Sequence, residues 1–273
     1  WYASWHGDGI MFPIARSGIM GRSGRGFSFG MPIDVFLVGG GSAGGEYDNI
    51  AGQYPGGGGG GYTTTDTSIA ASGTYTITVG GGGARNTSKS GGVGAPSTFV
   101  QSATSVSLSA LGGKATGLLS NSSGAFGGSG GGQGNNGAGG SDGSDGDYPG
   151  SAFRGVGQGT TTRAFGDASL TLYSGGGGAG KWSGTAPGGA GGGGWGTSRY
   201  YPENTYPQNA TTNTGGGGGG CSTFGGAAET AGNGGSGIVI VRYLGGTVAS
   251  GGSITASGGY TYHTFTATGS ITF

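Results

Sequence analysis

The chain has 273 residues, 79 of them glycine, and its eleven basic and eleven acidic residues leave no net charge. That balance excludes the electrostatic footprint of a nucleic-acid binder and of a polybasic membrane-surface protein. No apolar run approaches the roughly 20 residues of a spanning helix, and one cysteine (Cys221) with two histidines (His6, His263) supplies neither an intrachain disulfide nor a zinc cage.

Residues 1–33 are the stretch poorest in glycine and carry Trp1, Tyr2, Trp5, Phe12, Phe27 and Phe29, which reads as an aromatic anchoring or assembly module. Residues 34–243 form a glycine-rich domain, and 244–273 a C-terminal β-strand tail. Within the domain, Ile33–Val38 is short, β-branched and runs straight into glycine, the pattern of a strand. Tyr62–Thr65, Thr74–Val79, Ser97–Val100 and Ser105–Leu111 follow the same logic, with Ala168–Tyr173 a weaker case and Ile238–Tyr243 the strongest. No window shows apolar residues at helical spacing over three turns.

Between these strands lie glycine runs such as Gly56–Gly61, Gly175–Gly178 and Gly215–Gly220. A run of this kind makes no side-chain contacts, so its N–H and C=O groups need partners on neighbouring backbone. Whole runs of glycine suit polyglycine II-like helices, with three residues per turn and lateral rather than internal hydrogen bonds. Six residues then span about 19 Å at ~3.1 Å each. The competing arrangement is irregular loops pinned between strands. The expected fold class is therefore all-β and glycine-rich: short strands with a packed layer of polyglycine II-like helices and essentially no α-helix.

The segment Val35-Phe-Leu-Val-Gly-Gly-Gly-Ser-Ala-Gly-Gly45 resembles a glycine-rich domain of phage tail-fibre and bacterial surface proteins. The resemblance continues through Gly56–Tyr62, Tyr75–Gly83 and Gly175–Gly180, and closes at Gly234-Gly-Ser-Gly-Ile-Val-Ile-Val-Arg-Tyr243. In overall plan the chain also resembles the distal tail-fibre adhesins of T-even-like phages. That resemblance implies a sandwich of polyglycine helices whose intervening loops contact a host receptor. The N-terminal 33 residues depart from the attachment domain of those adhesins.

Three chemical motifs carry little. Gly175-Gly-Gly-Gly-Ala-Gly-Lys181 nearly completes a phosphate-binding loop, but Trp182 stands where Ser or Thr is required and no helix can follow. Ser141–Asp147 is an Asp-Gly-rich turn without the spacing or terminal glutamate of a calcium loop. Arg25–Phe29 echoes an RNA-binding strand without basic surroundings. No catalytic residue, metal site or cofactor is assigned, and the expectation is that the protein is not an enzyme.

The positive signal is aromatic. Residues 195–207 interrupt the glycine runs with Trp195, Arg199, Tyr200, Tyr201 and Tyr206, types enriched in binding hot spots. With Tyr148 and Trp182 they form the receptor-binding candidates, weighed against a role in pinning loops to the glycine layer. The terminal segment Gly258–Phe273 resembles the lead-in strand that precedes such domains. Its Tyr260, Tyr262, Phe265, Ile271 and Phe273 are assembly candidates if the strand adds to a neighbour's sheet edge. Folding back onto the chain's own Phe27–Val38 region is the alternative.

The expected function is structural and adhesive: a phage tail-fibre or tail-tip component, on a virion or extracellular. Its partners would be a host cell-surface glycan or outer-membrane protein and other fibre subunits or copies of itself, with no nucleic acid and no membrane span. The alternative is a self-assembling extracellular filament subunit joined by exchange of the C-terminal strand. An ice-binding surface would need a repeated triplet face that the sequence lacks.

Overall fold

The computed structural model describes residues 30–46, 54–85, 91–115, 123–134, 137–147, 153–181, 184–197, 207–222 and 230–273. Nearly all of the aromatic module expected over 1–33 lies outside them, and its last residues, Met31–Ile33, begin the first strand. The strands in chain order are β1 (Met31–Val38), β2 (Thr63–Ala71), β3 (Thr74–Thr78), β4 (Ser97–Gln101), β5 (Val106–Ala110), β6 (Ile238–Leu244), β7 (Ser253–Ser257), β8 (Tyr260–Phe265) and β9 (Gly269–Thr272). Among the described residues the only helical element is a 3₁₀ turn at Ala164–Gly166. The fold is all-β.

Two antiparallel sheets are present, one of order β2-β1-β6-β8-β7 and one of order β5-β4-β3-β9. Alternation decides which residues meet. In β3, Tyr75 and Ile77 are buried while Thr74, Thr76 and Thr78 face solvent. Tyr75 and Ile77 pack with Phe99 and Ile271 of their own sheet against Ile33, Val35, Leu37, Val239, Val241 and Phe265 of the other. The Tyr75 and Phe99 rings stack at 4.5 Å, and Phe273 sets its edge against both Tyr75 and Tyr243.

The outer face of the five-stranded sheet is also covered. Phe36, Val38, Ile238 and Ile240 lie under Ala164, Phe165, Leu170 and Tyr173. Burial on both faces explains why β1 and β6 are near-continuous apolar runs. The segment 162–173 that supplies this cover is not the strand expected at Ala168–Tyr173. Phe165 (φ 54°) and Gly166 (φ 70°) turn the chain sharply, leaving only an isolated bridge between Arg163 and Leu172.

The C-terminal tail completes both sheets. β8 lies between β6 and β7, and β9 pairs with β3. It therefore folds back, but onto β6 and β3 rather than onto the Phe27–Val38 region. Within it, His263 is fully buried; its Nδ1 lies 2.7 Å from the Gly251 carbonyl and its Nε2 2.9 Å from Tyr243 Oη. A carbonyl only accepts, so Nδ1 carries the proton. The Tyr243 hydroxyl oxygen takes the backbone N–H groups of Val248 and Ala249 and donates its own proton to Nε2. This relay pins the 245–252 connection over the sandwich.

The glycine segments leave the strand ends and bond to one another. Gly39, Ser42 and Gly45 donate to the carbonyls of Tyr62, Gly59 and Gly56; Gly40 and Ala43 to Ala95 and Gly92; Gly41 and Gly44 to Gly235 and Gly232. All seven bonds measure 2.9–3.0 Å, and every third residue meets the same neighbour three residues earlier in that neighbour's sequence, so these segments run antiparallel. The carbonyls of Gly40, Gly41, Ser42 and Gly45 accept from Gly113, Gly83, Gly218 and Cys221, which makes six neighbouring segments in all. Residues 175–180 repeat the pattern, donating in turn to Gly191, Gly140, Gly58, Gly194, Gly137 and Pro55. Ordering glycine costs more entropy than ordering any other residue, and a complete set of lateral bonds offsets it.

Candidate binding surface

The glycine layer has two unlike ends. At the sandwich end, the segments are stitched to strands: the buried Ser97 hydroxyl donates to the Val38 carbonyl at 2.6 Å and accepts from Gly80 N–H at 2.9 Å. At the other end, segments distant in sequence terminate together. Gly45 donates to Gly56, Gly180 to Pro55, Lys181 to Thr197, Thr197 to Gly220 and Cys221 to Gly45. Glu46 and Thr197 both form parallel bridges with Cys221, which is fully buried between them. The Ser222 hydroxyl reaches the carbonyls of Lys181 (2.6 Å) and Thr197 (3.1 Å).

Further segment ends join this cluster. Gly92 donates to Ala84, Gly137 to Gln133, Asp147 to Ala138 and Gln208 to Trp195, while Arg85 N–H bonds Asn233 Oδ1 at 2.8 Å. Residues 46 and 54, 85 and 91, 134 and 137, 181 and 184, 197 and 207, and 222 and 230 thus all sit at the end remote from the sheets.

Among the sequence-derived candidates, Trp195 is placed at this end with 45% of its surface exposed. Tyr148, Trp182, Arg199, Tyr200, Tyr201 and Tyr206 lie outside the described residues. Their described flanks, Asp147, Lys181, Gly184, Thr197 and Pro207, belong to the same end. The assembly candidates are split. Phe265 (4% exposed) and Ile271 (0%) fill the chain's own core, Phe273 packs beside them, and Tyr260 and Tyr262 lie on the outer face of the five-stranded sheet.

The end is polar beneath its rim. Glu46 Oε2, Gln133 Oε1 and Thr197 Oγ1 are buried without a hydrogen-bond partner among the described residues. Burial pushes the Glu46 carboxyl above its ordinary value, and the positive charge of Arg85 opposes the shift. Unpaired buried acceptors are costly, and here three of them gather where the segments end. Sequence reading missed Glu46, Gln133 and Thr197, because nothing local marks a polar residue whose burial comes from distant segments.

The motif lookalikes resolve by geometry. In Gly175–Gly180 every backbone N–H is engaged by a neighbouring carbonyl, leaving none to cradle a phosphate. In the Ser141–Asp147 turn, Asp145 accepts from Arg154 Nε (2.7 Å) and Gly157 N–H (3.0 Å), and Asp142 from Thr161 Oγ1 and Thr162 N–H. These bonds hold both carboxyls below their ordinary value, with Arg154 the main cause for Asp145 and the Thr161 hydroxyl for Asp142. Among the described residues no group of three His, Cys, Asp or Glu side chains could hold a metal ion, and no helix is long and apolar enough to cross a membrane. The segment Arg25–Phe29 lies outside the described residues.

No curated protein matches the chain. The sequence profile of one family, described as a glycine-rich domain, matches residues 28–244, from just before β1 to the last residue of β6. The chain belongs to that glycine-rich domain family.

Proposed function

We propose that the protein is a structural and adhesive fibre component, a phage tail-fibre or tail-tip protein that meets a host surface through the loop-bearing end of its glycine layer. The observation that carries this reading is the convergence of segment ends: a side-chain-poor layer of laterally bonded backbone separates the sheet sandwich from the end where distant segments terminate together. Loops held on a rigid scaffold are where binding residues concentrate. The layer itself is read as polyglycine II-like helices, supported by the three-residue recurrence of its lateral bonds and the six neighbours around residues 39–45. With charge scarce, affinity at the tip rests on hydrogen bonds and on aromatic stacking by Trp195, Tyr200, Tyr201 and Tyr206. The partner is a cell-surface glycan or an outer-membrane protein, and the setting a virion or the extracellular space.

The test is adsorption of the fluorescently labelled chain to a panel of bacterial strains, beside a Tyr200→Ala, Tyr201→Ala, Tyr206→Ala variant. Adsorption to some strains, lost in the triple variant while thermal unfolding is unchanged, supports the proposal. Absence of adsorption, or adsorption indifferent to the three tyrosines, overturns it.

A further inference from the structure

The sandwich has a polar site of its own, at the other end of the molecule from the loop attachments. Asp34 of β1 and Arg242 of β6 are register partners on the outer face of the five-stranded sheet. Arg242 Nε donates to Asp34 Oδ2 at 3.0 Å, and both side chains are mostly buried, 15% and 19% exposed. The other carboxylate oxygen accepts the Ser68 N–H at 3.2 Å. Ser68 holds φ 60° where the β1–β2 register shifts between Ile33 and Val35. The irregularity leaves Asp34 without a register partner on β2. Bulges of this kind are over-represented at sheet edges, such as the β2 edge here, and beside active sites.

The guanidinium is fixed on its faces as well. Its carbon lies 4.0 Å from the centre of the Phe165 ring and 4.6 Å from that of Tyr260. Stacking and the ion pair together lock the side chain, yet among the described residues no group accepts from its Nη1 or Nη2. Beside it opens a cavity of about 380 Å³ lined by Met31, Pro32, Asp34, Ser68, Arg242 and Tyr260. Preset donors, a carboxylate with capacity left and an aromatic ring thus converge on one space. Asp34 cancels the charge of Arg242, so the site recognises a hydroxylated ring better than a free anion.

We infer that this cavity binds a neutral hexose unit of a glycan, hydrogen-bonded by the Arg242 Nη groups and the Asp34 carboxylate and packed against the edge of the Tyr260 ring, whose face the guanidinium covers. The ring edge gives the pyranose an apolar contact, and a few orienting polar groups supply its specificity. This site is independent of the loop-bearing end and stands or falls separately from the adhesive reading.

The experiment is saturation-transfer NMR on the full chain with methyl glucoside, methyl galactoside and methyl mannoside at millimolar concentration. Transfer to at least one hexoside is expected. It should weaken by roughly tenfold in Tyr260→Ala and persist in Trp195→Ala at the opposite end. Leu244 lines the cavity and is 71% exposed, so Leu244→Trp should block the mouth without touching the core. That variant decides the matter if Tyr260→Ala does not fold. Repeating the measurement with a disaccharide separates a terminal hexose from a free sugar. No transfer to any hexoside, or transfer unaffected by the cavity variants and lost in Trp195→Ala, overturns the inference.

Discussion

Gly177 lies so close to Gly218 that a methyl group on its α-carbon would sit 2.0 Å from the Gly218 carbonyl oxygen. Backbone, unlike the tip of a flexible side chain, cannot move aside locally. Gly177→Ala is expected to cost about 3 kcal/mol, the upper end for overpacking. Gly81 belongs to the same layer, but a Cβ there meets nothing within 4 Å. Gly81→Ala is expected to be neutral or to stabilise by about 0.4–1 kcal/mol through the unfolded chain. Urea unfolding of the pair checks whether close approach, rather than glycine content, holds the layer.

Tyr243→Phe removes the hydroxyl that joins Val248 and Ala249 to His263. The buried His263 Nε2 and two backbone N–H groups then lose their partner. A loss of about 1–3 kcal/mol is expected, with hydrogen exchange accelerating at residues 248–251 before the rest of the sandwich.

Deleting residues 258–273 takes away β8 and β9, and with them Phe265 and Ile271 from the shared core. The truncated chain is expected to unfold or aggregate, where a freely exchanging tail would leave a folded monomer. Ile271→Ala is the milder test, with an expected loss of about 2–5 kcal/mol. Circular dichroism and size-exclusion chromatography separate the outcomes, and negative-stain microscopy of the intact chain over a concentration series shows whether copies form filaments.

Asp142 and Asp145 bear on pH. Their carboxyls titrate below the ordinary 3.8 in the folded chain, so the stability they contribute is fully present above that value. It is lost as pH falls through their lowered values. Both side chains are partly exposed, 40% and 37%, which keeps the effect small. The thermal midpoint should stay flat from these groups between pH 5 and 7 and fall below about pH 4. Asp145→Asn should lower the midpoint at neutral pH and make its acid decline shallower.

Legibility followed burial. β1 and β6 were readable because both faces are covered, so composition alone marks them. β3 was readable because its apolar residues alternate. β7 escaped notice: Ser253–Ser257 is exposed throughout and is a strand only because β8 offers it an edge. Ala168–Tyr173 misled in the opposite sense, since its apolar residues serve a turn packed on a sheet face. The pair Asp34 and Arg242, separated by 208 residues, had no local signature at all. The aromatic cluster at 195–207 was visible as composition, but the gathering of its flanks with those of six other segments was not.

By itself the sequence pointed to an all-β fold and to glycine runs whose N–H and C=O groups need partners from elsewhere, because a segment without side chains brings none of its own. Only the tertiary structure decided which runs became neighbours. Polyglycine has no side chains with which to choose a partner. The neighbours of residues 39–45 are set by the strands that β1, β3, β4 and β6 place around its start, and the register then propagates in steps of three to the far end.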